Sequence, residues 1–191
     1  MHPILRKLQG GDRRSIGRAN EVVSDVIANA SLFDAVFSGM RSEDVVLRAR
    51  AADAVEKITL RHPEYLRRYK AQLIGPLARV EQKEVRWHVA QMLPRVRWNA
   101  GERKRVLRVL TGYLSDRSSI VKTFAMQALA DLAAQAPGLM PQVLKHLQEL
   151  TVTGTPAMKA RGRMLLAKLA GPARKRTLRR TLPRQNTWAR S

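Results

Sequence analysis

The side chains of this sequence that could do chemistry are few, and most of them are cations. The four histidines, His2, His62, His88 and His146, fall at no spacing that would place two of them on one metal ion. No nucleophile-and-base order and no carboxylate pair marks a catalytic site. Cysteine is absent, which removes disulfides, thiolate ligands and a cysteine nucleophile. No metal and no cofactor is implied. The stretch GGDRRSIGR, from Gly10 to Arg18, could hold a phosphate or carboxylate on successive backbone amides. It lacks the lysine and spacing of a nucleotide loop, however, and reads as a helix-to-helix connection. What remains is charge: 36 Lys and Arg against 15 Asp and Glu leave a formal +21. No acid follows Glu149, whereas Lys159, Arg161, Arg163, Lys168, Arg174, Lys175, Arg176, Arg179, Arg180, Arg184 and Arg190 do. Such a chain attracts nucleic acid, acidic protein or anionic surfaces at long range, and charge alone gives association without specificity.

Helices must place those cations. In residues 118–133, SSIVKTFAMQALADLA, the apolar positions Val121, Ala125, Ala128, Leu129 and Leu132 make one narrow stripe on a helix. Its small residues let a neighbouring helix come close. The same pattern starts at Leu47, Val85 and Met158, so the four starts lie 38, 36 and 37 residues apart. Four residues on stand Ala51, Val89, Ala125 and Gly162; eight on, Val55, Leu93, Leu129 and Leu166; eleven on, Ile58, Val96, Leu132 and Leu169. A base follows each start, at Arg48, Arg86, Lys122 and Lys159, and Asp44, Glu84 and Asp116 precede three of them. A period in this range is that of a helical hairpin repeat.

The remaining segments fit between these helices. Residues 2–9 suit a short helix, 19–29 a longer one, and Ser31 is a plausible N-cap for a helix that ends at Gly39. A helix from Pro63 breaks at Gly75 and Pro76, the one over 84–96 bends at Pro94, and further helices cover 101–114 and 139–150. Gly162 is expected to interrupt the last. Residues 1–30 read as an N-terminal helical cap, 31–171 as the repeats, and 172–191 as a basic tail, disordered when free because it has little apolar content. No run of eighteen apolar residues and no apolar leader is present. A soluble, cytoplasmic protein without membrane insertion is therefore expected.

Across residues 31–170 the repeat resembles the HEAT family, whose second helix carries a hydrophobe and a base, then Ala and Leu, behind an Asp. The resemblance implies an all-α fold, a right-handed α-solenoid of about four hairpins, with the second helix of each pair lining an inner curve. It also implies that Arg48, Arg86, Lys122 and Lys159 bond to acids in a ladder inside the stack; a phosphate-binding row is the alternative. HEAT arrays are mostly interaction scaffolds, and no reaction follows from the fold.

Two surfaces could bind. On the inner face Trp87, Gln91, Met126, Gln127, Arg163 and Met164 lie among small residues and suit a peptide or partner helix, since methionines adapt to apolar surfaces. On the flank Arg50, Lys57, His88, Arg95, Arg161 and Lys168 could join Arg174, Lys175, Arg176, Arg179 and Arg180 in a polyanion-binding edge. Trp98 or Trp188 would stack there on bases. The expected function is a noncatalytic scaffold for an acidic protein or peptide, the alternative nonspecific DNA or RNA binding. A third class is a protein like the alkylpurine DNA glycosylases, which are HEAT-like and hold a damaged nucleotide with tryptophans and an aspartate. Against it, the residue one turn past Trp87 is Gln91, which carries no anionic charge.

Overall fold

The computed structural model describes residues 1–12 and 15–180, with side chains through residue 171. Among the described residues it has no strand and eleven α-helices: α1 (Pro3–Arg6), α2 (Ala19–Ala28), α3 (Phe33–Gly39), α4 (Val45–Arg61), α5 (Lys70–Leu73), α6 (Pro76–Arg79), α7 (Lys83–Met92), α8 (Ala100–Tyr113), α9 (Ser119–Gln135), α10 (Met140–Thr153) and α11 (Pro156–Arg180). The helices α4, α7, α9 and α11 form a row in which each packs on the next. Helix α3 lies against α4, α6 against α7, α8 against α9, and α10 against both α9 and α11. None of the described helices is long and apolar enough to cross a membrane.

Local chemistry sets most boundaries. Asp44 starts α4: its carboxylate accepts the N–H groups of Val46 and Leu47 at 2.8 and 3.1 Å, donors that have no partner within the helix. Asn99 and Glu102 start α8 with a reciprocal cap, in which each side chain accepts the other's backbone N–H. Where a helix was expected to begin at Ser31, the capping side chain is Asn29; it accepts Ser31 N–H at 3.1 Å and opens a 3₁₀ turn ahead of α3. The segment from Pro63 runs as a 3₁₀ turn to Tyr69 before α5, and Pro76 opens α6. Pro94, which has no N–H to donate, falls in the 3₁₀ turn that closes α7.

Gly162 does not interrupt α11, contrary to expectation. It is buried against α10, and a Cβ there would collide with the Thr151 hydroxyl. Glycine costs about 1 kcal/mol of helix propensity relative to alanine, and here it permits the close approach of two helices. Helix α11 also continues past Pro172 to Arg180, into the segment expected to be a disordered tail; residues 181–191 lie outside the described residues.

Small residues fill the row. Ala51, Ala52 and Ala54 of α4, Ala90 of α7, and Ala125, Ala128, Ala130 and Ala133 of α9 are all buried. Bulk comes from the flanking elements, where Phe33 and Phe37 meet Tyr65 and Tyr69; the Phe37 and Tyr69 rings stack with centroids 3.8 Å apart.

The N-terminal segment is held by one side chain. Arg50 of α4 is 5% exposed, and its guanidinium donates to the carbonyl oxygens of Leu8 (3.1 Å), Gln9 (3.3 Å), Gly10 (2.6 Å), Asp12 (3.0 Å) and Ser15 (3.0 Å). The chain can wrap the guanidinium because Gly10, Gly11 and Gly17 take positive φ, and a Cβ on Gly17 would come within 2.7 Å of Arg50 Cζ. This loop, read in the sequence as a possible anion nest, instead turns carbonyls inward on a cation. Arg50→Met leaves the buried Leu8 carbonyl and four part-buried ones without this donor and is expected to cost about 2 kcal/mol. Arg50→Lys, which cannot fork, should lose much of the same stability. Urea unfolding measures both, with hydrogen exchange at Leu8 to Ala19 rising first.

Candidate functional site

The bases that follow the repeat starts are the first candidates. Arg48 donates from Nε to Gln82 Oε1 at 2.6 Å and from Nη1 to the Ser42 carbonyl at 2.9 Å, while the Gln82 amide donates to the Val45 carbonyl. Arg86 donates to Asp116 Oδ2 at 2.6 Å and to the Val80 carbonyl at 2.8 Å, and Asp116 Oδ1 accepts Ser118 N–H. Each arginine therefore ties the start of its own helix to the start of the next. At the third junction the link is a hydroxyl pair, Ser119 with Thr155 at 2.8 Å. Lys122 and Lys159 are half-buried and make no hydrogen bond or ion pair among the described residues.

The expected inner-face residues do not form one surface. Trp87 is half-buried in a groove of about 610 Å³ together with Ile16, Asp53, Glu84 and His88. Gln91 and Gln127 line a separate groove of about 520 Å³. There Gln127 donates to Asp131 and accepts from Arg161 at 3.0 Å. Met126 is fully buried and belongs to the core, because the methionine faces the approach of α11 at Gly162. Arg163 and Met164 stand exposed on α11, Met164 at 65%.

The expected basic flank is largely engaged in holding helices together. Arg50 binds the N-terminal loop, as above. Lys57 pairs with Asp53 at 2.7 Å and reaches Asn20 at 2.9 Å. Arg95 pairs with Glu56 and donates to the Glu56 carbonyl at 2.6 Å. Burial lowers the His88 imidazole to about 4, despite the opposing pull of Asp53, so it carries no charge at neutral pH. Arg161 bonds to Gln127; Lys168 is the exposed member, 3.8 Å from Asp131. Arg174, Lys175, Arg176, Arg179 and Arg180 lie on the backbone of α11, but their side chains are outside the described ones. Trp98 is buried, donates to the Leu93 carbonyl at 2.8 Å and carries Lys70 over its ring, so it offers no stacking face; Trp188 lies outside the described residues.

Exposed cations without a hydrogen bond or close ion pair lie elsewhere. Among the described residues, Arg67, Arg97, Lys104, Arg105, Arg108 and Arg117 are exposed and make neither, and the same holds for Arg6, Arg41, Lys145 and, on the row helices, Arg61 and Arg163. The first six sit on the segments that flank the row. The signal was present in GERKRVLRVLTGYL: Lys104, Arg105 and Arg108 fall on the face opposite the buried Val106 and Leu110.

The groove at Trp87 also corrects a point of the sequence reading. A tryptophan and an aspartate share no helix face in the sequence, yet Trp87 of α7 and Asp53 of α4 line the same groove. The Asp53 carboxylate is already bonded to Lys57, which offsets the anionic charge that stabilising a developing cation would require.

His88 gives the groove a pH dependence. Its folded value near 4 lies below its ordinary 6.5, so between those limits the unfolded chain binds the proton first and stability falls as pH drops. At about pH 4.5 the loss relative to neutral pH should be about 2 kcal/mol. Urea midpoints of wild type and His88→Gln at both pH values isolate it, the variant lacking that part of the acid loss.

Comparison with family models, with curated proteins and with solved structures gives no match to this chain.

Proposed function

We propose that this protein is a noncatalytic scaffold built as a right-handed, HEAT-like α-solenoid, and that it binds nucleic acid through the cations of its flanking segments. The solenoid reading is supported by the row α4, α7, α9 and α11, in which every helix contacts its successor and the first two junctions carry a base bonded to the start of the following helix. The observation that carries the binding reading is where the free charge lies. Arg48, Arg50 and Arg86 of the row and Arg95 in the turn that closes α7 are bonded to neighbouring segments; besides Arg61 and Arg163 on the row, the flanking Arg67, Arg97, Arg105, Arg108 and Arg117 face solvent with no close ion pair among the described residues. Exposed guanidinium groups of this sort suit phosphodiesters, which they meet with two parallel hydrogen bonds. Phosphate contacts give affinity without base recognition, in keeping with the nonspecific binding expected from the composition.

An acidic protein segment is the second reading, and one feature favours it. On α11 the exposed thioether of Met164 stands beside Arg163 and one turn from Lys168, a combination that suits the apolar face and acidic rim of an amphipathic helix. The groove at Trp87 suits such a partner less well, because Asp53 and Glu84 line it.

Anisotropy titrations of the full chain with a labelled duplex and a labelled single-stranded RNA, across a salt series, separate these readings. Four or more phosphate contacts predict a slope of log affinity on log salt of about −3.6 or steeper for duplex, and about −2.8 for single strands. Polyglutamate should compete weakly. Flat salt dependence with millimolar affinity would overturn the nucleic-acid reading, and strong polyglutamate binding that Met164→Ala abolishes would put the acidic segment in its place.

A further inference from the structure

One concavity on the flanking side has a charged lining made only of cations. Between α6 and α8 a cleft of about 520 Å³ is lined by Arg79, Arg86, Arg105, Arg108 and Tyr113, and no carboxylate lines it. Two acids that act on its lining arginines are already committed to other partners. Asp116 is bonded to Arg86 and to Ser118 N–H and belongs to the neighbouring concavity. Glu102, whose charge reaches Arg105, accepts from Lys70 at 2.8 Å and from Asn99 N–H at 2.9 Å. Arg79 bonds through Nε to the Gly75 carbonyl at 3.3 Å, which leaves its terminal nitrogens available, and Arg105 and Arg108 are exposed. The remaining polar group of the lining, the Tyr113 hydroxyl, donates to the Ala78 carbonyl at 2.9 Å; burial raises its pKa, so it adds no negative charge. The Arg86 guanidinium, held by Asp116 and the Val80 carbonyl, also lies over the Tyr113 ring, 5.7 Å from its centroid. Gly112, on the last turn of α8, presents no side chain, and the position of its missing Cβ is open space.

Beside Arg86, which Asp116 neutralises, the guanidinium groups of Arg79, Arg105 and Arg108 repel one another, and an anion seated among them offsets that repulsion. A phosphate is the anion that matches: tetrahedral oxygens accept from several guanidinium forks at once, which a planar carboxylate does less well. We infer that this cleft is an oxyanion site that seats a backbone phosphate of bound nucleic acid, an inference that rests on the nucleic-acid reading above.

The test uses the full chain, a short labelled duplex and a salt series. Arg105→Ala with Arg108→Ala removes two exposed side chains that make no hydrogen bond or ion pair among the described residues, so the fold is kept. The slope of log affinity on log salt should become shallower by about 1.8, two phosphate contacts at about 0.9 each. Arg41→Ala with Lys145→Ala, an equal loss of charge at exposed positions on other segments, should change it by less than about half of that. Gly112→Asp, which places a carboxylate in open space within the cleft, should weaken duplex binding about ten-fold, while Gly112→Ala leaves it unchanged. A second arm titrates inorganic pyrophosphate and follows the arginine Nε–H resonances, with Arg105 and Arg108 expected to shift. If the duplex binds and the cleft variants behave as the control pair does, the cleft assignment falls and the nucleic-acid reading stands. If the duplex fails to bind but pyrophosphate moves the Arg105 and Arg108 signals, the nucleic-acid reading falls and the site belongs to a free phosphate compound. Silence in both arms overturns both.

Discussion

The close approach of the four row helices is the constraint on which the rest of this structure depends. Alanines at Ala51, Ala52, Ala90, Ala125, Ala128 and Ala133, with Gly162 at the last contact, bring the helices too near one another for a base between them to reach water freely. A cation in that position must be given acceptors from neighbouring segments, because an unpaired buried charge costs several kcal/mol. Arg48, Arg50, Arg86 and Arg95 all receive them: a glutamine, a ring of carbonyls, and two carboxylates. The buried and half-buried guanidinium groups on the row are thus structural, and charge free for a ligand lies on exposed positions, most of them on the segments around the row.

The links along the row change in kind as the chain proceeds. The first junction uses an arginine and a neutral amide, the second an arginine and a carboxylate, the third two hydroxyls. An acid that precedes one row helix serves the base of the helix before it: Asp116 sits just ahead of α9 yet bonds to Arg86 of α7. This offset explains Lys122. No acid precedes Lys159 to receive Lys122, and the side chains of both lysines are without a partner among the described residues.

Much of the helical layout was legible in the sequence, because a narrow apolar stripe with small residues announces a helix and its packing face together. The spans expected around Leu47, Val85, Val121 and Met158 are the helices α4, α7, α9 and α11, and the breaks at Gly75 and Pro94 fall where a missing Cβ or N–H requires them. The candidate sites were less legible for a physical reason. A helix pattern says which residues of one helix share a face, and nothing about what the next helix sets opposite. Arg50 and Arg67 look alike in sequence; the structure puts one among five carbonyls and the other in solvent. Met126 and Met164 occupy neighbouring positions of the repeat, yet one is core and the other 65% exposed. Gly162 looked like a flaw in its helix, since its value lies in the Thr151 hydroxyl that no local pattern contains.

Net charge and fold are coupled through the same partition. A formal +21 on 191 residues destabilises the compact chain by self-repulsion, and the paired arginines of the row relieve little of it because each is matched to a local acceptor. The repulsion therefore concentrates on exposed cations such as Arg105 and Arg108, the side chains proposed to meet phosphate. A bound polyanion would neutralise them and stabilise the folded chain by an amount set by its concentration relative to its dissociation constant, about 2.7 kcal/mol at a hundred-fold excess. Affinity and stability then share one origin. Substitutions that remove exposed cations relieve repulsion in the free protein while weakening the complex, whereas substitutions at the row arginines damage the fold itself.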